Sequence, residues 1–515
     1  MQPIIGLDFG NFNSFACFIS DFDIGTRMGG TVHDLLPARL QEGIPSVYFY
    51  SNRVGETLLG ENAVRPRAVP LQNRLRYLKR HLGETTQLDG KTISYDQAIT
   101  DVIQHCIRSA NKQLNAGWQI TTNLVSLSYP ATYTFAQRQR LVELVEKATL
   151  EDGTRVKVYG TIAEPAAAAL DYLAEFAKSN KDTTVLTYDL GGGTFDLGLV
   201  SVYPKGRKNR DGYTYYYDII NTRGISKLGG AEFDDVMFRL LSGKVRVSLN
   251  SNTTATLRNL AETTKVELST STEEIPQLYA GDDYIDIPIT RREFEEASKD
   301  LLMRTIEETR KILQDHPNQK PEIILLTGGA SQMPMVQREM ENAFPQYKGK
   351  IIYFRPSRAI AYGAARFGTA ERNPDVNLPG EKKIIVQPRI MYDIGVKYFN
   401  GDEDSKGFIF KFIAAGTPIP CVSNTEGSTQ RGEGRYAGFH VFEAIVPNPD
   451  NKEIDRDYIE IMSVSVDHGR VVPKGHPHET RMRVDEKGLL TIEARDSSSP
   501  DLPFSKATVE LKNLS

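Results

Sequence analysis

The sequence predicts an α/β unit followed by an all-β unit, and three observations carry that prediction. From Pro3 to about Gly368, strand-like apolar runs alternate with helical segments, the pattern of a sheet-centred α/β core. Within that stretch one module, a strand ending in Asp, a glycine turn and a second strand, occurs twice. After Gly368 helical periodicity gives way to short apolar runs between Gly, Asn and Asp turns, as in a β-sandwich. The implied boundaries are 1–370 for the α/β unit, 371–386 for a linker and 387–515 for the β unit. A chain of 515 residues exceeds a single core, since domains hold about 100–200 residues.

Each element follows from its local pattern. Ile4-Ile5-Gly6-Leu7, Val185-Leu186-Thr187-Tyr188 and Ile323-Ile324-Leu325-Leu326 read as buried strands. Residues 95–114, 135–148, 165–178 and 291–313 read as helices. In the last, Phe294, Leu301, Leu302, Ile306 and Leu313 recur near a 3.6-residue period with charges between them. Residues 371–383 are polar and contain Pro374, Pro379 and Gly380, a linker composition. Beyond it, residues 408–413 and 489–494 read as strands, with turns at Asn400-Gly401-Asp402 and Asp485-Glu486-Lys487-Gly488.

Composition narrows the function classes. A hydrophobic share of 40% and a charged share of 25% match a globular protein. The net charge of −4 gives no electrostatic reason to expect nucleic acid or an anionic membrane as partner. There is no apolar run long enough to span a bilayer and no basic-then-apolar leader. Cys17, Cys106 and Cys421 form no CxxC pair, which points to a reducing, cytoplasmic setting.

The repeated module carries the chemistry. Ile4-Ile5-Gly6-Leu7-Asp8-Phe9-Gly10-Asn11 returns as Val185-Leu186-Thr187-Tyr188-Asp189-Leu190-Gly191-Gly192-Gly193-Thr194. A glycine turn lets backbone N–H groups approach a phosphate, and an Asp at each strand tip suits the hydration shell of Mg²⁺. Two such turns face to face would grip a polyphosphate, with Gly10, Asn11 and Phe12 on one side and Gly191, Gly192, Gly193 and Thr194 on the other. Either copy alone reads equally as a tight hairpin. Two further glycine pairs, Leu228-Gly229-Gly230-Ala231 and Thr327-Gly328-Gly329-Ala330, lie before helix candidates, where anions are readily bound.

The order of these motifs resembles the actin-like ATPase superfamily, and more narrowly the seventy-kilodalton heat-shock (DnaK-type) chaperones. Asp189-Leu-Gly-Gly-Gly-Thr-Phe-Asp196, Glu164-Pro165-Ala-Ala-Ala-Ala169, Tyr129-Pro130-Ala131-Thr132, Gln137-Arg138-Gln139, Glu262-Thr-Thr-Lys265 and Ala361-Tyr362-Gly363-Ala364-Ala365 carry it. Tyr392-Asp-Ile-Gly395 and Gly416-Thr-Pro-Ile-Pro420 extend it into the β unit. The resemblance implies a two-lobed actin-like ATPase domain followed by a peptide-binding β-sandwich, using ATP/ADP and Mg²⁺. It implies that Asp8 and Asp189 organise the waters of Mg²⁺, that Thr194 sits at the γ-phosphate, and that Glu164 and Asp196 position the attacking water. Glu262, Lys265 and Ser269 would hold ribose and adenine, with Gly328, Gly329 and Ala330 opposite and Gly229 and Gly230 nearby. Pro130 and Arg138 match residues that relay nucleotide state. Implied partners are unfolded or extended polypeptide, a co-chaperone and a nucleotide exchange factor. Read alone, Glu262 and Lys265 are an i, i+3 surface ion pair.

The sequence departs from the family at several points. The family's lysine near the γ-phosphate follows a Gly-Asp-Ala-Ala run, here Gly60-Glu61-Asn62-Ala63-Val64-Arg65. This reading places Val64 at the lysine position, with Arg65 or Arg67 as substitutes. Asn11 and Phe12 replace two threonines, and Val266 and Gln332 replace two adenine-stacking arginines. Slow hydrolysis is therefore expected, with a nucleotide-gated adaptor as the alternative. The linker keeps Ile384-Ile385-Val386 but lacks a leading acid, the 243–256 segment is short, and no helical lid is expected after the β unit. Phe439 with Val441, and Phe410 with Phe412, alternate as cleft or core residues do. An actin-like filament protein and a small-molecule kinase are the other classes such a core could serve.

Overall fold

The computed structural model describes residues 3–20, 31–52, 55–64, 73–133, 135–176, 182–203, 216–280, 283–372, 386–387, 390, 392–399, 407–444, 449–485, 488–499 and 501–511. The chain forms two compact units, the second beginning at Val386.

The first unit is built on two sheets of the same plan. In one, β1 (Ile5–Phe9), β2 (Asn13–Ser20), β3 (Thr31–Asp34), β4 (Leu124–Tyr129) and β5 (Lys157–Ala163) are ordered β5-β4-β1-β2-β3. In the other, β6 (Thr183–Leu190), β7 (Phe195–Tyr203), β8 (Tyr216–Ile225), β9 (Ile323–Thr327) and β10 (Ile351–Tyr353) are ordered β10-β9-β6-β7-β8. In each sheet the Asp-bearing strand runs antiparallel to its hairpin partner and parallel to its other neighbour. The central strands are buried on both faces, which explains their continuous apolar runs.

The longer helices of this unit are α1 (Tyr95–Trp118), α2 (Phe135–Lys147), α3 (Glu164–Phe176), α4 (Gly230–Lys244), α5 (Ser251–Glu267), α6 (Arg291–Asp315), α7 (Pro334–Ala343) and α8 (Ala359–Arg372), with α3 and α8 packed on the sheets and α4 against α5. The α1 helix runs past the expected end at 114 and stops at Gln119, whose left-handed φ of 59° breaks the helical repeat. Helices α3 and α8 cross closely because a Cβ on Gly363 would lie 1.9 Å from the Ala167 carbonyl oxygen. Asn250 caps α5, its side chain accepting from Thr253 N, and residues 245–250 connect it to α4. Arg65, Arg67 and the linker before Val386 lie outside the described residues. No helix of the described residues is long and apolar enough to cross a membrane.

The second unit is a sandwich of two antiparallel sheets. One contains β11 (Ile394–Tyr398), β12 (Phe408–Ile413), β15 (Gly434–Ala444) and β16 (Tyr458–Val472), ordered β12-β11-β15-β16. The other contains β13 (Cys421–Val422), β14 (Glu426–Thr429), β17 (Pro477–Val484), β18 (Leu489–Asp496) and β19 (Ser505–Glu510), with β13 and β14 both pairing β17. Ile394, Val396, Ile413, Val464, Met482, Leu490 and Ile492 meet between the sheets. Phe439 and Val441 belong to this core, 5% and 0% exposed, so the structure removes them as cleft candidates. Their alternation comes from the pleat that faces the opposite sheet. Phe410 and Phe412 stay half-buried, their rings 5.5 Å apart and close to Tyr398. The turn at Asp485 is a hairpin closed by Gly488 N donating to the Asp485 carbonyl, while Asn400-Gly401-Asp402 lies outside the described residues.

Candidate active site

The two Asp-bearing hairpins bring their turns together. A Cβ on Gly193 would lie 2.2 Å from Asn11 Nδ2, and one on Gly192 would lie 3.1 Å from Phe12 Cβ. The helix start at Gly229-Gly230 closes on the same loop, with Gly230 N and Ala231 N donating to the Gly191 and Gly192 carbonyls at 2.9 and 3.0 Å. Gly328, with φ 80°, leaves room for Asp189: a Cβ there would sit 2.4 Å from Asp189 Oδ1. Beside it Ala330 is buried and Gly329 is open.

Four buried carboxylates, Asp8, Glu164, Asp189 and Asp196, line this junction. Burial and the nearby Glu164 push Asp8 up to about 7, against Lys79 and a 3.0 Å hydrogen bond from Ser128 Oγ. Burial and Glu164 likewise raise Asp196 to about 7, opposed by Thr194 and by the Thr132 N–H. Burial holds Asp189 well above the ordinary range, with Glu164, Asp196 and Asp8 adding repulsion. Asp189 Oδ1, Asp196 Oδ2 and Asn11 Oδ1 are buried without a hydrogen-bond partner. Such orphaned acceptors, in a cluster with excess negative charge, fit a divalent cation with its waters. Asp8 and Asp189 would hold that cation.

A lysine stands among these carboxylates, and it corrects the expectation placed on Val64. Val64 packs half-buried against Val47, Phe49 and Ala63. Lys79, 3% exposed, places Nζ 2.5 Å from Glu164 Oε1. Burial pulls its ammonium down, but Glu164 above all, then Tyr133 and Asp8, drives it higher than usual. Tyr133 Oη fixes the segment by donating to the Lys79 carbonyl at 2.9 Å. The sequence signal was a basic Lys79-Arg80-His81 set between Leu78 and Leu82.

The same segment, residues 74–81, reaches residues of the second sheet's side. Arg80 binds Glu232 through both nitrogens, at 2.8 and 2.7 Å, and the Gly193 carbonyl through Nε at 3.0 Å. Glu232 in turn accepts from Gly229 N at 2.7 Å. Tyr77, in the left-handed region at φ 54°, donates to Asp234. Arg76 pairs with Glu262 and lies over the Phe12 ring. Glu262 and Lys265 are therefore not a mutual ion pair: Lys265, 8% exposed, binds Asp234 at 2.6 Å and the Gly230 carbonyl at 3.2 Å. Ser269 is half-buried one turn beyond Lys265. Val266 and Gln332 are exposed. Arg138 donates to Tyr129 Oη at 2.9 Å, next to Pro130.

A family model described as Hsp70 protein matches residues 85–502. The match covers most of the chain and both structural units. The first hairpin and Lys79 precede it, so their place in the site rests on geometry.

Proposed function

The chain belongs to the Hsp70 family, whose members are nucleotide-dependent chaperones, and from that premise we propose that it hydrolyses ATP at the Asp8–Asp189 junction. The observation that carries the reading is Lys79, buried against Glu164 and facing Asp8. A buried lysine beside Glu164 supports reading the junction as an ATPase site rather than that of a nucleotide-gated adaptor.

Magnesium, when bound, supplies charge neutralisation for the phosphates. The chain's own groups do the rest, since this chemistry is mostly positioning and electrostatic stabilisation. The Lys79 ammonium offers a fixed positive charge where negative charge builds up. Thr194 and the turn amides orient the phosphates. Asp196, raised to about 7 with Oδ2 unpartnered, is suited to take a proton from an attacking water at neutral pH. Lys265, Glu262 and Ser269 form the nucleoside side. The exposed Val266 and Gln332 give the base no cation–π contact, which supports weak adenine affinity.

In the β unit, Tyr398, Phe410 and Phe412 form the aromatic surface we assign to an extended, apolar peptide segment. Nucleotide state would control that binding, as in the family, in a cytoplasmic setting.

The test is ATP binding and single-turnover hydrolysis on the full chain, compared with Lys79→Ala and Asp189→Ala. Lys79→Ala is expected to keep binding and lose turnover by roughly 10²–10³-fold, the effect of removing one preorganised donor. Asp189→Ala is expected to lose both. Tight binding without turnover in the native chain would establish the adaptor, and no binding would sink the proposal.

A further inference from the structure

We infer that the β-sandwich carries a divalent transition-metal site, best suited to Zn²⁺, formed by His468, His476 and Asp496. The three ligand atoms lie within 4.8 Å of one another, and the site is independent of the nucleotide junction.

The ligands come from three places in the fold. His468 lies on β16 in one sheet, and Asp496 ends β18 in the other. His476 sits in the turn that joins β16 to β17, where Gln430 N donates to the His476 carbonyl and Gly475 N to the Gln430 carbonyl. Both imidazoles converge on one oxygen: Asp496 Oδ2 is 3.2 Å from His468 Nδ1 and 2.7 Å from His476 Nε2. Around a tetrahedral zinc with bonds of about 2.0–2.1 Å, ligand atoms stand roughly 3.3 Å apart. The two separations from Asp496 Oδ2 are already near that spacing.

The surrounding groups are those an outer shell requires. Asp496 Oδ1 accepts from Ser498 N and Ser498 Oγ at 2.8 and 2.6 Å, which leaves Oδ2 to the histidines. With Nδ1 on the metal, His468 presents Nε2–H to Gln430 Oε1 at 2.9 Å, which fixes tautomer and ring together. His478, 2% exposed, places Nε2 3.1 Å from the same nitrogen. Two imidazoles and a carboxylate make a borderline-soft donor set that suits zinc over magnesium or calcium. The His468 side chain is fully enclosed and His476 is 11% exposed, which gives an ion its way in. Once bound, the ion ties the two sheets together at one end of the sandwich.

The test uses the untagged full chain, stripped with chelator and titrated with Zn²⁺ against a competing dye. One equivalent of tightly bound zinc and a raised Tm are expected. His476→Ala and Asp496→Asn should each lose that equivalent, and Gln430→Leu should bind roughly 10–100-fold more weakly. His440→Ala, an exposed histidine paired with Glu460, should bind as the native chain does. His476 lies in a turn, so its variant carries the test even where Asp496→Asn misfolds. Co²⁺ in place of zinc should give a visible four-coordinate spectrum without a thiolate band. No stoichiometric zinc in the native chain, native-like binding by His476→Ala, or a thiolate band from Cys421 would each overturn the site.

Discussion

The β1–β2 and β6–β7 hairpins share strand order, register pattern and a terminal Asp, yet their turns are filled in opposite ways. The second turn is Gly191-Gly192-Gly193; the first is Gly10-Asn11-Phe12. Asn11 and Phe12 occupy the space that Gly193 and Gly192 leave open. Repeats that face each other need not stay identical; they need to stay complementary. The carboxylates differ as well. Asp8 has Ser128 as donor and Lys79 as countercharge, whereas Asp189 Oδ1 has no partner.

That contrast is open to attack through pH. Asp8 and Asp196 titrate near 7 in the folded chain against an ordinary 3.8, so the folded state holds their protons longer than the unfolded state does. Their contribution to stability is complete below about pH 4 and is lost as pH rises towards 7, on the order of several kcal/mol. Denaturation midpoints of the nucleotide-free chain should fall across that window. Asp196→Asn should flatten the fall, and Mg²⁺ with ADP should oppose it most at the upper end. A flat native profile would remove the proposed repulsion.

A smaller effect is expected where the second turn meets α4. A Cβ on Gly229 would lie 2.7–2.9 Å from backbone atoms of Gly191 and Gly193, which cannot move as a side chain can. Gly229→Ala should cost about 1–3 kcal/mol by overpacking, visible in Tm and in nucleotide affinity. The most discriminating test is the smallest. Gly193→Ala collides with Asn11, so adding Asn11→Ala should restore part of the loss, a coupling of roughly 0.5–3 kcal/mol. Strict additivity of the two would show that the turns do not fill one another.

Much of the fold was legible because periodicity and glycine turns are local signals. Both hairpins, the α/β alternation and the change to short strands could be read from residue order. Lys79 could not, because its distance from the first turn along the chain carries no information about where residues 73–83 cross the junction. Counting along a family pattern led to Val64, a small packing residue. Arg76 and Arg80 were missed for the same reason, since their partners Glu262, Glu232 and Gly193 lie far along the sequence. Phe439 and Val441 illustrate the opposite failure. Alternation identifies a face of a strand but not what covers that face, and here the facing sheet covers it.

The segment that carries Lys79 has a consequence for how long a nucleotide stays. Any motion that parts the two sides of the junction must break Arg76–Glu262, Arg80–Glu232 and the Tyr77–Asp234 hydrogen bond together. These contacts act as a latch made largely of charge, and added salt weakens charge pairs at partly exposed sites. The dwell time of a nucleotide held at the junction would thus depend on ionic strength, shortening as salt rises.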